Sequence, residues 1–342
     1  MLSWFLLKKN CKILVIDEFN PSAASNIASG IVNPVTGRRL VKTWLADELI
    51  PFALETYHDL ESFFQTEFYK EVAILKVIDS VKVQNDWASK CGTEEYLPYL
   101  ENENVLRLPE DLVKNPMGYF EIQKAGSLLL SKLLGVFRKF LFEKNILIDQ
   151  RFHFDELKID ENEIFYKDFK SKKVIFCEGT AAESNPYFGY LPFVPAKGEA
   201  LKLKIPKLHF QNILSGKIKL MPTAEADIYY AGATYEWDFE DDQPSETGRM
   251  KLIEKLEKLL NIPYQIISHE AAVRPTVRDR RPLAGLHPKH KTLAVFNGMG
   301  TKGISLAPYF AQEFAGYLFG GNKLNPEVDI SRFEKFYARS AT

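Results

Sequence analysis

Cysteine is scarce in this chain of 342 residues: Cys11, Cys91 and Cys177 are odd in number and far apart. With no C-x-x-C and no Cys/His ligand spacing, a disulfide framework and a structural zinc site of the usual kind are both excluded. Net charge is nearly absent too, at −1 from 44 basic and 45 acidic residues. No overall field draws the protein to DNA, RNA or an anionic membrane, so any such binding needs a local patch. No apolar run approaches the roughly 18 residues that read as a membrane span. The N-terminus is largely apolar from Met1 to Leu7 and basic only afterwards, at Lys8 and Lys9, the reverse of a secretory signal. These absences lead us to expect a cytoplasmic protein in a reducing compartment. Internal repeats and low-complexity tracts are also missing.

What is present is an ordinary globular composition, 46% hydrophobic and 26% charged, in a chain long enough for two domains. Residues 1–10 have the spacing of the end of an amphipathic helix. Residues 12–17, KILVID, form a short continuous apolar run ended by an acid, the mark of a strand covered on both faces. Helical patterns follow at 45–68, 119–145, 248–261 and 304–318. Strands are expected at 72–83, 105–108, 173–179, 264–271 and 292–297, with a small antiparallel meander at 152–168. Further antiparallel strands are expected at 200–205, 217–221, 228–233 and 234–238. Parallel-type strands thus cluster near both ends and around residue 175, which predicts an α/β chain with two interleaved domains.

Two partial signals point to a dinucleotide. The first is helix, strand and acid, ending on Asp17. In a dinucleotide-binding βαβ unit such an acid accepts hydrogen bonds from the adenosine ribose. A glycine loop belongs about 18–20 residues earlier, where it lets the backbone approach the pyrophosphate. Counting back from Asp17 reaches Met1 first. The expectation is an internal start, with a true chain about a dozen residues longer. Taken alone, Asp17 is more often an ordinary strand-end acid. The second signal is Gly298-Met-Gly300-Thr-Lys-Gly303, a literal G-x-G-x-x-G between a strand and a helix. Its context is wrong for the Rossmann fingerprint, because no strand ending in an acid follows about twenty residues later. Its physical content is narrower: a glycine turn that aims backbone N–H groups from a helix N-terminus at negative charge.

Taken in order along the chain, these pieces resemble the FAD-dependent D-amino-acid oxidase and glycine oxidase (DAO) family. Residues 13–17 look like the family's second strand and its ribose-binding acid. Residues 24–30, ASNIASG, are similar to the small-residue loop that passes the pyrophosphate and flavin. Residues 174–179 resemble the strand and glycine beside adenine, and PAKG at 195–198 the entry to the substrate-domain sheet. Val273-Arg274-Pro275, followed by Asp279, Pro282 and Gly285, looks like the arginine motif; residues 297–308 resemble the flavin-facing turn and helix.

The resemblance implies a Rossmann-like FAD-binding domain, N-terminally truncated and interleaved with an α+β substrate domain on an antiparallel sheet. Its expected segments are 1–50, 116–185 and 283–342 for FAD, and 51–115 and 186–282 for substrate. Asp17, Ser25, Ala28, Ser29, Gly30, Gly179, Gly298, Gly300, Thr301, Lys302 and Gly303 are the expected cofactor-binding positions. The implied reaction moves a hydride from the carbon bearing an amine to the flavin, and water then hydrolyses the imine.

Arg274 is the expected carboxylate clamp, because a guanidinium offers two parallel donors to a carboxylate. Lys302 and the amides of residues 301–303 are expected to stabilise charge on the reduced flavin. The plainer readings are an ion-paired Arg274, within the group Arg274, Arg278, Arg280 and Arg281, and a solvated Lys302. Tyr229, Tyr230 and Tyr235 are weaker candidates, and alternation sends Tyr229 and Tyr230 to opposite faces. Arg38, Arg39 and Lys42 read best as a solvated loop. The six histidines show no metal spacing. The expected partner is a small-molecule amine or amino acid, with no DNA, no metal and no membrane insertion. Two alternatives stay open: an amine attached to tRNA, and a family member that no longer holds FAD and only binds.

Overall fold

A computed structural model describes residues 1–37, 39–100, 108, 111–114, 117–206 and 208–340. The chain forms two compact units and passes between them four times. The first comprises residues 1–21, 134–196 and 273–342; the second comprises 22–133 and 197–272.

Short parallel strands frame the first unit. Val15–Ile16 lies parallel to Leu147–Ile148, and Val174–Phe176 lies parallel to Leu293–Asn297. Leu283–Leu286 adds to the far edge of Leu293–Asn297 in antiparallel sense. Leu293, Ala294 and Val295 are fully buried, which is why this strand reads as an unbroken apolar run. The helix Gly303–Gly320 follows at once, and the N-terminal helix Leu2–Lys8 packs on it. The meander at 152–168 forms as three short antiparallel strands, Leu157–Ile159, Ile164–Tyr166 and Phe169–Ser171. It closes over a core of Phe176, Phe188, Leu283 and Val295, where the Phe152 ring stacks on Tyr166 at 4.4 Å.

The second unit is built on a seven-stranded sheet. Its order is Gln265–Arg274, Ala196–Lys204, Ile228–Gly232, Lys219–Pro222, Ile213–Ser215, Ile74–Val77, Tyr119–Ile122. From Ala196–Lys204 to Tyr119–Ile122, neighbours are antiparallel except for Ile213–Ser215 beside Ile74–Val77. One face, carrying Leu201, Leu203, Leu214, Leu220, Tyr229 and Ala231, packs against Leu252, Leu256 and Leu259. Those leucines fall at i, i+4 and i+7 of the helix Glu246–Leu259, so one apolar stripe meets the sheet. Ser245 starts that helix by accepting a hydrogen bond from the Gly248 amide at 3.0 Å. Truncating Leu252 or Leu256, both fully buried, would cost about 2–5 kcal/mol.

Several expected elements change type. The strand expected at 72–83 ends at Val77, and Val81–Cys91 is a helix capped by Ser80, whose hydroxyl accepts from the Val83 amide. Alternation in Val81-Lys82-Val83 mimicked a strand, but Trp87 on this helix stacks on Phe120 at 5.6 Å and holds it as a helix. The long helix expected at 119–145 is only Leu130–Glu143. Tyr119–Ile122 and Gly126–Leu128 are strands. The Tyr69 side chain lies where a Gly126 side chain would project, its hydroxyl 1.9 Å from a Cβ, so glycine makes room for Tyr69 to pack here. The 234–238 strand is reduced to an isolated bridge between Lys197 and Glu236. Residues 105–107 of one expected strand, and Arg38, lie outside the described residues. Among the described residues no helix is long and apolar enough to cross a membrane.

Candidate functional site

In the first unit the expected cofactor-binding residues gather at the carboxyl ends of the parallel strands, where α/β sheets bind ligands. Asp17 follows Val15–Ile16, and its amide donates to Ile148 O at 3.1 Å. Its side chain is 56% exposed and meets Arg138 from the helix Leu130–Glu143. Arg138 Nη1 donates to Asp17 Oδ2, while Nη2 reaches the Asp17 carbonyl at 2.9 Å and Asp149 Oδ1 at 2.7 Å. Burial works against the Arg138 charge, but Asp149 and Asp17 outweigh it and hold its pKa above the ordinary value. The Arg138 hydrogen bond in turn keeps Asp149 below the usual carboxylate range. Asp17 Oδ1 makes no hydrogen bond among the described residues.

A second group forms around Asn297, which is 4% exposed at the end of its strand. Its Nδ2 donates to the Gly179 carbonyl at 2.9 Å and its Oδ1 accepts from the Gly298 amide at 2.8 Å. One buried amide thus ties the two expected glycine turns together. Gly298 and Gly300 have φ of +73° and +53°, conformations that side chains resist. At Gly298 a Cβ would also come 2.7 Å from Val277 Cγ2. The Gly300 amide donates to the Pro275 carbonyl at 3.2 Å, which places the backbone next to Arg274 against the turn. Arg274 itself is half-buried at the end of the strand Gln265–Arg274.

The turn leads into an eighteen-residue helix that begins at Gly303, with Lys302 at its N-cap. Lys302 makes no side-chain cap; its carbonyl accepts from Ser305 and Leu306. The amides of Thr301 and Gly303 have no partner among the described residues. Unpaired amides at a helix N-terminus favour an acceptor carrying negative charge.

Within the same segment, Arg281 and Asp279 are paired with residues near the C-terminus. Arg281 Nε donates to Glu327 at 2.9 Å, and Asp279 accepts from Arg332 Nε at 2.9 Å. His287 is buried and pushed down to about 4, chiefly by burial and then by His290 and Lys291. Its Nδ1 accepts from the amides of Lys289 and His290, so it acts as a neutral structural residue.

The second unit holds Ser25, Ala28, Ser29 and Gly30. Ser25 lies in the short helix Ala24–Ile27 and is exposed, as is Ala28. Gly30 has φ of +78°, and a Cβ there would lie 1.9 Å from the Leu128 carbonyl oxygen. Its glycine is therefore demanded by pairing of Ile31–Val32 with Gly126–Leu128. Tyr229 is core: it is 2% exposed and its hydroxyl donates to the Leu208 carbonyl. Tyr230, cross-strand from Lys202 and Met221, faces the other side of the sheet, as alternation requires. Lys42 is bound to Asp47 at 2.5 Å, and Lys90 ties down the carbonyls of Arg39 and Leu40.

The model of the FAD dependent oxidoreductase family, DAO, matches residues 2–317. The chain belongs to this family. Solved structures of the same fold include glycine oxidase from Geobacillus kaustophilus, with a TM-score of 0.77 at 17% identity. Iminodiacetate oxidase from Chelativorans sp. BNC1 follows at 0.75 and 16%; for both, the match covers 97% of this chain and 94% of theirs. L-proline dehydrogenase from P. horikoshii gives 0.74 at 14%, covering 98% and 94%.

FAD is the cofactor of the DAO family, and the residues present fit it. A strand-end carboxylate retains an unused acceptor oxygen, and two glycine turns of positive φ meet at the ends of parallel strands. A helix N-terminus also offers two unpaired amides. The sequence singled out the acid and the turns as candidates but did not point to Arg138 or to the buried role of Asn297. Asn297 carried a usable signal, an amide between an apolar strand and a glycine. Arg138 carried none, since it is 121 residues from Asp17.

Proposed function

We propose that this DAO-family oxidoreductase oxidises a small amine or amino acid bearing a carboxylate. In this reading the first unit holds FAD through Asp17, Gly179, Gly298, Gly300, Thr301, Lys302 and Gly303. Bound FAD supplies the acceptor for the hydride that leaves the carbon next to the amine nitrogen. As that hydride departs, the nitrogen lone pair forms the C=N bond, and water later hydrolyses the imine.

The chain's own residues orient and stabilise. Arg274 takes the substrate carboxylate with two parallel donors, which fixes the angle at which the reacting carbon is presented. The Thr301 and Gly303 amides, with the dipole of the helix behind them, favour negative charge built up in front of the turn. The observation that carries the proposal is the hydrogen bond from Gly300 N–H to the Pro275 carbonyl. It locks the backbone beside the arginine onto the glycine turn that opens the helix.

The test is Arg274→Ala, assayed with a panel of amino acids and with matched amines lacking the carboxylate. Losing a two-pronged charged contact predicts kcat/KM lower by about 30- to 1000-fold for carboxylate substrates, mostly in KM. Amines without a carboxylate change little, and FAD affinity is retained. Unchanged kinetics on every carboxylate substrate would remove Arg274 from the site.

A further inference from the structure

We propose that Arg138 and Phe19 build the seat for the adenosine half of FAD around Asp17. The inference rests on the reading of Asp17 as the ribose-binding acid and adds the residues that make that acid selective.

The geometry is a three-point lock. One guanidinium holds both the carboxylate oxygen Oδ2 and the main-chain carbonyl of Asp17. Its Nη2 reaches across to Asp149 at the end of the neighbouring parallel strand. Asp149 Oδ1 also accepts the Phe19 amide at 3.4 Å, and the Arg138 guanidinium lies 5.6 Å from the centre of the Phe19 ring. An exposed aspartate normally samples several rotamers. Here the planar fork fixes one, and Oδ1 is the oxygen left over for a ribose hydroxyl.

This cluster does little for stability. Asp17 and Asp149 side chains are each more than half exposed, where ion pairs contribute little. Its consequence is orientation instead. Two carboxylates around one guanidinium leave a net negative site, so Arg138 does not serve a ribose phosphate and the seat takes an unphosphorylated diol. Phe19, 56% exposed and two residues beyond Asp17, offers an aromatic surface for the base attached to that ribose.

The proposal separates FAD from FMN, which lacks the adenosine. The full-length apoprotein is titrated with each flavin, following quenching of flavin fluorescence, for the parent, Asp17→Asn, Arg138→Met, Phe19→Ala and Asp17→Asn/Arg138→Met. Each single variant is expected to weaken FAD by about 5- to 30-fold while FMN affinity stays within about twofold. The double variant is expected to lose no more than the worse single, because Arg138 acts through Asp17. Phe19→Trp is expected to restore FAD binding. Equal losses for FAD and FMN, or unchanged FAD affinity in Arg138→Met, would overturn the proposal and leave the proposed function standing. A parent chain that takes up neither flavin would overturn both.

Discussion

Glu199 allows the sharpest energetic forecast. It is fully buried in the second unit, with its carboxylate shared among three partners. Ser245 donates from its amide at 3.1 Å and from its hydroxyl at 2.8 Å, His269 Nε2 lies 2.8 Å away, and Lys197 Nζ lies 3.5 Å away. Glu199→Ala leaves the Lys197 ammonium, 5% exposed, with only the exposed Asp241 at 3.5 Å among the described residues. It also frees Ser245, the residue that caps the helix Glu246–Leu259. Breaking a buried pair from one side costs about 3–5 kcal/mol. For a unit of roughly 190 residues that is a fall in Tm of about 6–20 °C. Three of the four tryptophans, Trp44, Trp87 and Trp237, lie in this unit, so thermal unfolding followed by tryptophan fluorescence reads it directly. Adding Lys197→Met to Glu199→Ala removes the stranded charge and should recover part of the loss. A Tm within about 2 °C of the parent for Glu199→Ala, or a double variant less stable than the single, would refute the reasoning.

Two further outcomes follow from the same kind of accounting. His287 titrates near 4 in the folded chain against an unfolded value of 6.5, so the unfolded state binds the extra proton as pH falls between them. Stability is full above about 6.5 and declines towards 4, by up to about 3 kcal/mol; His287→Phe should flatten that decline in urea titrations at pH 4.5 and 7, and an unchanged slope would contradict it. Gly298→Ala meets both a left-handed backbone at φ +73° and Val277 at 2.7 Å. A loss of about 2–5 kcal/mol is expected, visible as a lower unfolding midpoint, and a midpoint matching the parent would show that the turn relaxes freely.

Much of the frame was legible in the chain because its signals are local. The apolar run ending on Asp17, the glycine turn before residue 303 and the leucine stripe at 252, 256 and 259 each sit within one element. Alternation correctly separated Tyr229 from Tyr230, since strand geometry leaves no choice. Rejecting residues 298–303 as a Rossmann fingerprint also fits, because the helix Gly303–Gly320 is followed by a 3₁₀ turn and a short helix. Long-range pairing was invisible. Nothing near Asp17 announces Arg138, and Glu199, next to the recognised PAKG segment, reads as an ordinary exposed strand acid until Ser245 and His269 close over it. Residues 119–128 were misread as helix because an apolar stretch alone does not choose its period; Tyr69 packing at Gly126 decided it.

The central claim is that this chain binds FAD and uses it to oxidise an amine. The direct measurement is to load the purified full chain with FAD, remove oxygen and titrate with amino acids and secondary amino acids. Absorbance near about 450 nm should bleach in proportion to one substrate class and return when an oxidant is admitted. A chain that binds no FAD, or one whose bound FAD stays oxidised against the whole panel, would contradict it.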